Sequence, residues 1–441
     1  MFTTTGQGAI GYVLMGYPRV SETFIASELM RVERAGLDVR LFVLKPVEAK
    51  ERGLRHPVND AIAAEPQYLP DTASLTAPLH YWRPRHLKPF MPALRRVARQ
   101  RPRGLARALA TAGRQAVRDR RTRLSGPRKV YLKELLQAVA LADRLLDAPD
   151  VRHLHAHFAH GTTTVTWHAA TIAGLPFSFT GHARDIYAPE LNPHGWLRRK
   201  LLSAEFAVTC TAANVAHLKA IAPEADVHLV YHGLNADFAR MVREPAPDGT
   251  APNGHLRVLG VGRLVAKKGF DVLVEACAEL RRREIPFEAL IVGQDDKHGD
   301  VVRERIAVLG LGDRVALPGP MGQEQLLGEY RRAGALCMPC RLLPNDRDGI
   351  PNVLVEAMAA GAPVVATGVS GIPELVSHEV NGLLVEPDDP AALADALVRV
   401  HEDRELAERM AAAGRRTVEE RFDGDLLARR LASLFERAVA R

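Results

Sequence analysis

Short apolar runs alternate along most of the chain with longer stretches in which apolar residues recur every three or four positions. The runs read as buried strands and the longer stretches as helices with one inward face, a pattern that predicts parallel sheets with helical crossovers. Runs at 10–15, 39–44, 177–180 and 227–230 supply strands of a first set. Runs at 256–261, 287–292, 315–317, 335–338 and 382–385, with another opening at Val364, supply a second. Ser21 is placed to cap a helix carrying Phe24, Ile25, Leu29, Met30 and Val32 on its inner side. Further helices are predicted over 131–147, 162–173, 391–401 and 404–421, with a last one from Asp423. The Pro-, Gly- and Ala-rich stretch 243–255 reads as a hinge, dividing a domain at 1–242 from one at 256–421. The expected fold class is therefore α/β, with two doubly wound Rossmann-like domains.

The densest chemistry lies at 348–367, DGIPNVLVEAMAAGAPVVAT, which reads as a loop, a helix and a buried strand. Gly349 lets the backbone pass close to a ligand, and Pro351 suits the first helical position, where an N–H would have no partner. The free amides around Gly349, at the helix mouth formed by Ile350, Pro351 and Asn352, then face a ligand at the positive end of the helix dipole, a site for phosphate. Glu356 falls just over one turn inside the helix, eight residues after Asp348. A single ionised carboxylate there can accept two hydroxyls, as a ribose presents them. Upstream, the strand at 256–261 runs into GRLVAKKG, where Arg263 and Lys268 bring two cations together at a helix start. These are the ingredients of a diphosphate site. In the other domain, the strand at 177–180 ends in GHARDIY, placing His182, Arg184 and Asp185 at the carboxyl edge of a sheet, where open α/β folds bind ligands.

The motif GIPNVLVEAMA, with an acid seven residues before Glu356, resembles the signature of the retaining glycosyltransferases of family 4, which have the GT-B fold. The run YPRVSETFIASELMRVERAGLDVRLFVL resembles the opening of a subgroup that includes colanic acid biosynthesis glycosyltransferases. The resemblance is strong over 256–385, good at both ends of the first domain and absent over 83–129. It implies two domains facing a cleft, with 422–441 crossing back to the first. It also implies that Arg263 and Lys268 hold a donor diphosphate, that Glu356 anchors the ribose and Asp348 the sugar, and that His182 reaches sugar or acceptor, oriented by Asp185. Ser21, Glu22 and Thr23 would line the acceptor side, although capping alone accounts equally well for Ser21 and Glu22. The usual first acid of the motif is Glu, and Asp348 is one methylene shorter. The expected activity is transfer of a sugar from a nucleotide diphosphate sugar to a lipid-linked or glycan acceptor in exopolysaccharide or cell-surface polysaccharide assembly. A nucleotide-sugar epimerase of the same fold and a non-catalytic basic adaptor remain as alternatives. No cofactor or metal is expected: Asp346 and Asp348 spell DxD, but Arg263 and Lys268 already supply counter-charge to a diphosphate.

Charge changes the picture in one segment. Between Arg83 and Lys129 sixteen Lys and Arg face Asp119 alone, so the net +7 of the 441-residue chain belongs to this segment and the remainder is acidic. Leu94, Val97, Leu105 and Leu109 fit helical stripes beneath the arginines, which predicts a basic amphipathic insertion. Binding to an anionic membrane surface is the favoured role, with a merely solvated face second. Nucleic acid is not expected as a partner, because aromatics that stack on bases are nearly absent. Four cysteines argue against a disulfide framework, and Cys337 and Cys340 have no second Cys or His pair nearby to make a metal site. His153, His155 and His157 alternate and share a strand face, yet no carboxylate lies beside them in sequence. Gly6, Gly8 and Gly11 match GxGxxG but precede the first strand, so they read as a leader, not a dinucleotide fingerprint. The first residues have no basic segment before their apolar run, and no run reaches the roughly 20 apolar residues of a spanning helix. The expected location is cytoplasmic, peripheral at the inner face of the cell membrane.

Overall fold

The computed structural model describes residues 8–19, 23–46, 57–71, 87–119, 128–243, 254–343 and 349–440. The chain divides into two compact units. The first takes residues up to 210, then 214–230 and 427–441, and the second takes 211–213 and 231–426.

The first unit is built on β1 (Ala9–Gly16), β2 (Val39–Lys45), β3 (Pro66–Tyr68), β4 (Val151–His157), β5 (Phe177–Gly181), β6 (Phe206–Thr209) and β7 (Val227–Leu229). They form one parallel sheet in the order β3-β2-β1-β4-β5-β6-β7. Burial on both faces explains why β1 reads as a continuous apolar run, whereas β4, VRHLHAH, is buried although it carries three histidines. The edge strand β3 has no such run and opens on a proline, which an edge tolerates because its N–H need not join a ladder. Gly11 lies inside β1, not in a leader as its spacing suggested. A β-carbon there would come within 2.6 Å of Leu154. The alternating histidines of β4 are buried on one face of the sheet. His153 contacts the Ser178 hydroxyl at 2.7 Å, and His155 contacts Ser178 at 2.8 Å and Thr180 at 3.0 Å. The carboxylate missing from their sequence neighbourhood arrives from another element: Glu28, on the helix Thr23–Arg34, meets His157 at 3.0 Å and accepts from the Tyr12 hydroxyl at 3.2 Å. Burial pushes His153 down to about 3, so its ring is a neutral core group at ordinary pH.

The C-terminal helix, Gly424–Val439, buries Leu431, Leu434 and Phe435 against this face. Phe435 stands edge-on to His155 at 5.0 Å and to Tyr12 at 5.7 Å between ring centroids.

The basic insertion forms two helices, Met91–Gln100 and Pro102–Arg118. Val97, Leu105 and Ala108 pack against Leu135 and Val139 of the helix Lys129–Leu146 and Ile172 of the helix Gly161–Ala173. Gly104 permits this closeness, since a β-carbon would lie 2.4 Å from the Ile172 carbonyl oxygen. Leu109, expected beneath the arginines, is 49% exposed, because the inner stripe runs through Leu105, Ala108 and Ala112 instead. Arg83, Arg85, Arg120, Arg121 and Arg123 lie outside the described residues.

The second unit contains β8 (Leu256–Val261), β9 (Phe287–Val292), β10 (Val315–Gly319), β11 (Ala335–Met338), β12 (Val364–Thr367) and β13 (Leu383–Val385). These are again all parallel, ordered β10-β9-β8-β11-β12-β13. Most of the stretch predicted as a hinge, 244–253, lies outside the described residues. Among those described, no helix is long and apolar enough to cross a membrane. All four thiols are buried and unbridged, and burial pushes Cys277 up to about 12.

Phe435→Ala removes an aromatic whose ring meets those of Tyr12, His153, His155 and Phe206 and is expected to cost about 3–5 kcal/mol. Urea unfolding should show the loss in the first unit, with the second unit's transition unmoved.

Candidate functional site

In the second sheet the strand order reverses between β8 and β11, and these two strands pair directly. The crevice outside the carboxyl ends of such a pair of strands is the usual ligand position of an open α/β sheet. The basic turn follows β8 and the GIPNVLVE segment follows β11.

The basic turn is held by its own backbone. Gly262 donates to the carbonyl of Val292 at 2.9 Å and Leu264 to that of Gln294 at 3.0 Å. A short 3-10 turn, Ala266–Lys268, then ends at Gly269 in the left-handed region, φ 66°, where the helix Phe270–Arg282 starts. An added β-carbon at Gly269 would sit 1.9 Å from the Pro339 carbonyl oxygen, so this position excludes every side chain. Arg263 is 59% exposed and pairs with Asp296, in the loop after β9, at 3.1 Å. Lys268 is half-buried beside Gly262.

Behind the turn lies an ion-pair network that sequence reading did not find. Arg341, just past β11, grips Asp271 through both terminal nitrogens at 2.9 and 2.8 Å and also binds Asp388, while its amide donates to the Lys267 carbonyl at 2.8 Å. His298 adds a contact to Asp271 at 3.2 Å. Burial by itself would raise the Asp271 carboxyl, but the hydrogen bonds from Arg341 and then His298 outweigh it and leave it below the usual carboxylate range.

Across the crevice, the helix Asn352–Ala360 begins one residue later than the sequence suggests. Pro351, φ −61° and ψ 124°, is still extended and caps the helix, which ends at Gly361 with φ 84°. Gly349 and Ile350 are half-buried and Asn352 is exposed at the helix mouth, where the first amides have no partner within the helix. Asp348, together with Asp346 and Arg347, lies outside the described residues. Glu356 is half-buried, and one of its oxygens accepts from the Tyr330 hydroxyl at 2.9 Å. Burial raises the Glu356 carboxyl, and the Tyr330 hydrogen bond opposes that rise. Tyr330 is fully buried and meets the edge of Phe238 at 5.9 Å. The only trace of its role in the sequence is a lone aromatic in a charged helix.

In the first unit, His182 follows β5 and opens the short helix Ala183–Tyr187. Its ring lies among Phe158, Phe24 and His157, at 4.8, 5.2 and 5.8 Å between centroids. Asp185 is buried, and its carboxylate accepts from the amides of His182, at 2.7 Å, and of Ala159. It therefore fixes the backbone that carries His182. Thr23 opens the helix Thr23–Arg34 and is half-buried. Ser21 and Glu22 lie outside the described residues.

Residues 244–417 match the family described as Glycosyl transferases group 1. The chain is 28% identical to the amylovoran biosynthesis glycosyltransferase AmsK of Erwinia amylovora, over 97% of this chain and 98% of that protein. It is 33% identical to the putative colanic acid biosynthesis glycosyltransferase WcaL of Escherichia coli K12, over 46% of this chain and 50% of that one, so this match spans about half the relative's length. The solved structure of Anabaena HepE in complex with UDP and glucose superposes with a TM-score of 0.64 at 16% identity, over 97% of this chain and 100% of that one. At that identity the likeness establishes the fold.

Arg341→Leu strands the buried Asp271 carboxylate. It is expected to cost about 3 kcal/mol, read as a lowered urea midpoint, with Asp271→Asn in the same chain recovering part of the loss.

Proposed function

We propose that the chain is a group 1 glycosyl transferase, the family that its residues 244–417 match, and that it moves a sugar, with retention of anomeric configuration, from a nucleotide diphosphate sugar to a lipid-linked or glycan acceptor in exopolysaccharide assembly. The observation that supports the donor half is that Arg263 and Lys268 lie on the turn after β8 and the helix Asn352–Ala360 follows β11, the two strands at which the sheet order reverses. Similarity to proteins named for amylovoran and colanic acid biosynthesis supports the pathway class, and the complex of HepE with UDP supports a nucleotide donor.

The difficult step is departure of the diphosphate from an anomeric carbon that becomes oxocarbenium-like. Arg263, Lys268 and the helix-mouth amides stabilise the charge that develops on the leaving oxygens. Asp296, which pairs with Arg263, gives way to the diphosphate, whose charge is greater. No metal is required on this scheme, since two cations and a helix dipole already face the phosphates. Glu356 binds the ribose hydroxyls, with Tyr330 holding its carboxylate in place, and Asp348 contacts the sugar. His182 contacts sugar or acceptor, and Ser21, Glu22 and Thr23 belong to the acceptor side. The leaving phosphate deprotonates the acceptor hydroxyl on the same face, so no protein nucleophile is needed.

The basic insertion lies on an anionic membrane surface in this reading. Arg95, Arg99, Arg101, Arg103, Arg107, Arg114 and Arg118 are all exposed, and none enters an ion pair among the described residues. Arg96, by contrast, is forked onto Asp147. Exposed Leu109 and Val117 add apolar surface to the same helix. A solvated face would more commonly intersperse acids.

Lys268→Ala is expected to lower turnover by about 10²–10³ while leaving the melting temperature nearly unchanged, and Glu356→Gln to raise the dissociation constant of the donor. Nucleotide release from a panel of UDP-, GDP- and ADP-sugars checks both, and parental turnover in Lys268→Ala protein removes the diphosphate assignment. Replacing Arg99, Arg103, Arg107 and Arg114 by Gln should weaken binding to phosphatidylserine vesicles by about 1 kcal/mol per residue. Co-sedimentation unchanged by the four substitutions rules out the membrane role.

A further inference from the structure

The sheet of the first unit also reverses its order, between β1 and β4. At the carboxyl ends of β1, β2 and β4 lies a cavity of about 260 Å³ lined by Met15, Lys45, Lys133, Glu134, His160 and Gly161, among others. Its volume falls below the roughly 300 Å³ at which pockets for drug-sized ligands begin, so its occupant is one group of a larger molecule.

The charges around it are unevenly compensated. Asp119 on the wall accepts from Arg128 and from the Tyr131 hydroxyl, both at 2.7 Å, and is thereby neutralised. Glu190 is exposed at the rim. Glu134 faces Gly161 at the start of the helix Gly161–Ala173, and burial pushes its carboxyl up to about 7. Lys45, at the end of β2, and Lys133, on the helix Lys129–Leu146, are close enough for their side chains to interact, and neither enters an ion pair among the described residues. Burial and then the Lys45 charge lower the Lys133 pKa, with Asp71 and Glu134 opposing only weakly. Two ammoniums drawn together without a shared counter-ion are repulsive, and an anion between them converts that repulsion into two charge-assisted hydrogen bonds. Helix Pro102–Arg118, with its unpaired arginines, ends at Asp119 on this same wall, so an acceptor resting on that basic surface has its head group beside the opening.

We propose that this cavity seats an acidic group of the acceptor, a phosphate or a carboxylate, between Lys45 and Lys133. The inference rests on the transferase reading for the word acceptor and on the cavity alone for the anion. The test uses full-length Arg263→Ala/Lys268→Ala protein, which lacks the cations assigned to the donor, titrated calorimetrically with inorganic pyrophosphate and separately with glucuronate. One of the two is expected to bind, about tenfold or more weakly once Lys45→Ala/Lys133→Ala is added. Pyrophosphate binding identifies a phosphate-bearing acceptor, and glucuronate binding one bearing a uronic acid. If the alanine pair does not fold, Lys133→Gln, which keeps the stem and removes the charge, makes the same discrimination. Absence of binding by both anions, or binding indifferent to the lysines, overturns the proposal. Nucleotide-sugar binding by Lys45→Ala/Lys133→Ala protein with an intact donor turn is expected to equal the parent's. If the parent itself binds no nucleotide sugar, the donor assignment falls, and the pyrophosphate and glucuronate titrations still decide the cavity.

Discussion

The second unit depends on one close approach, that of Gly269 to the carbonyl of Pro339. The left-handed backbone and the 1.9 Å to which a β-carbon would come admit glycine only. This contact brings the turn after β8 against the loop after β11, although some seventy residues separate them in the chain. The Arg341 amide on the Lys267 carbonyl and the Arg341 guanidinium on Asp271 lock the same junction from behind. The segment that carries the cations and the one that leads to the helix amides are thus fixed to each other. Rigid placement of this kind matters most where charge develops during a reaction, because the stabilising groups need not reorganise as it appears.

The first unit uses the same parallel architecture differently. Its switch point also lies beside its first strand, but the strand next to it carries buried histidines held by Ser178, Thr180 and Glu28. Phe435, arriving from the end of the chain, closes that core. Polar side chains at such depth are tolerated because each histidine finds a partner for at least one ring nitrogen, and burial keeps His153 and His155 neutral. The charged groups lie at the carboxyl edge, where Lys45, Lys133 and Glu134 surround a cavity of fragment size. Both sheets therefore place cations at their reversal, the second in an exposed turn and the first in a partly enclosed chamber.

The two basic features of the molecule differ in what they can recognise. Arg263 and Lys268 are few, tied to a rigid turn and matched to a compact anion. The arginines of 95–118 are numerous, exposed and spread along two helices, an arrangement suited to a surface with many charges and poor at selecting one ligand. A chain that reads as strongly basic overall is thus an acidic protein carrying one basic face.

Fold class, the strand at 256–261, the basic turn and the helix ending at Gly361 were legible in the sequence, because each rests on local rules: apolar runs for covered strands, glycine where φ is positive, periodicity for helices. The histidine triplet was legible as one strand face for the same reason. What the sequence alone determined stops where side chains from distant segments meet. Glu28 reaching His157, Tyr330 holding Glu356, Arg341 gripping Asp271 and Lys45 approaching Lys133 link residues between 26 and 129 positions apart. No local pattern encodes such pairs. They arise from strand order and helix packing, so only the tertiary structure decided that Asp185 is a buried backbone clamp, that Leu109 faces outward and that Lys45 and Lys133 share a chamber with Glu134.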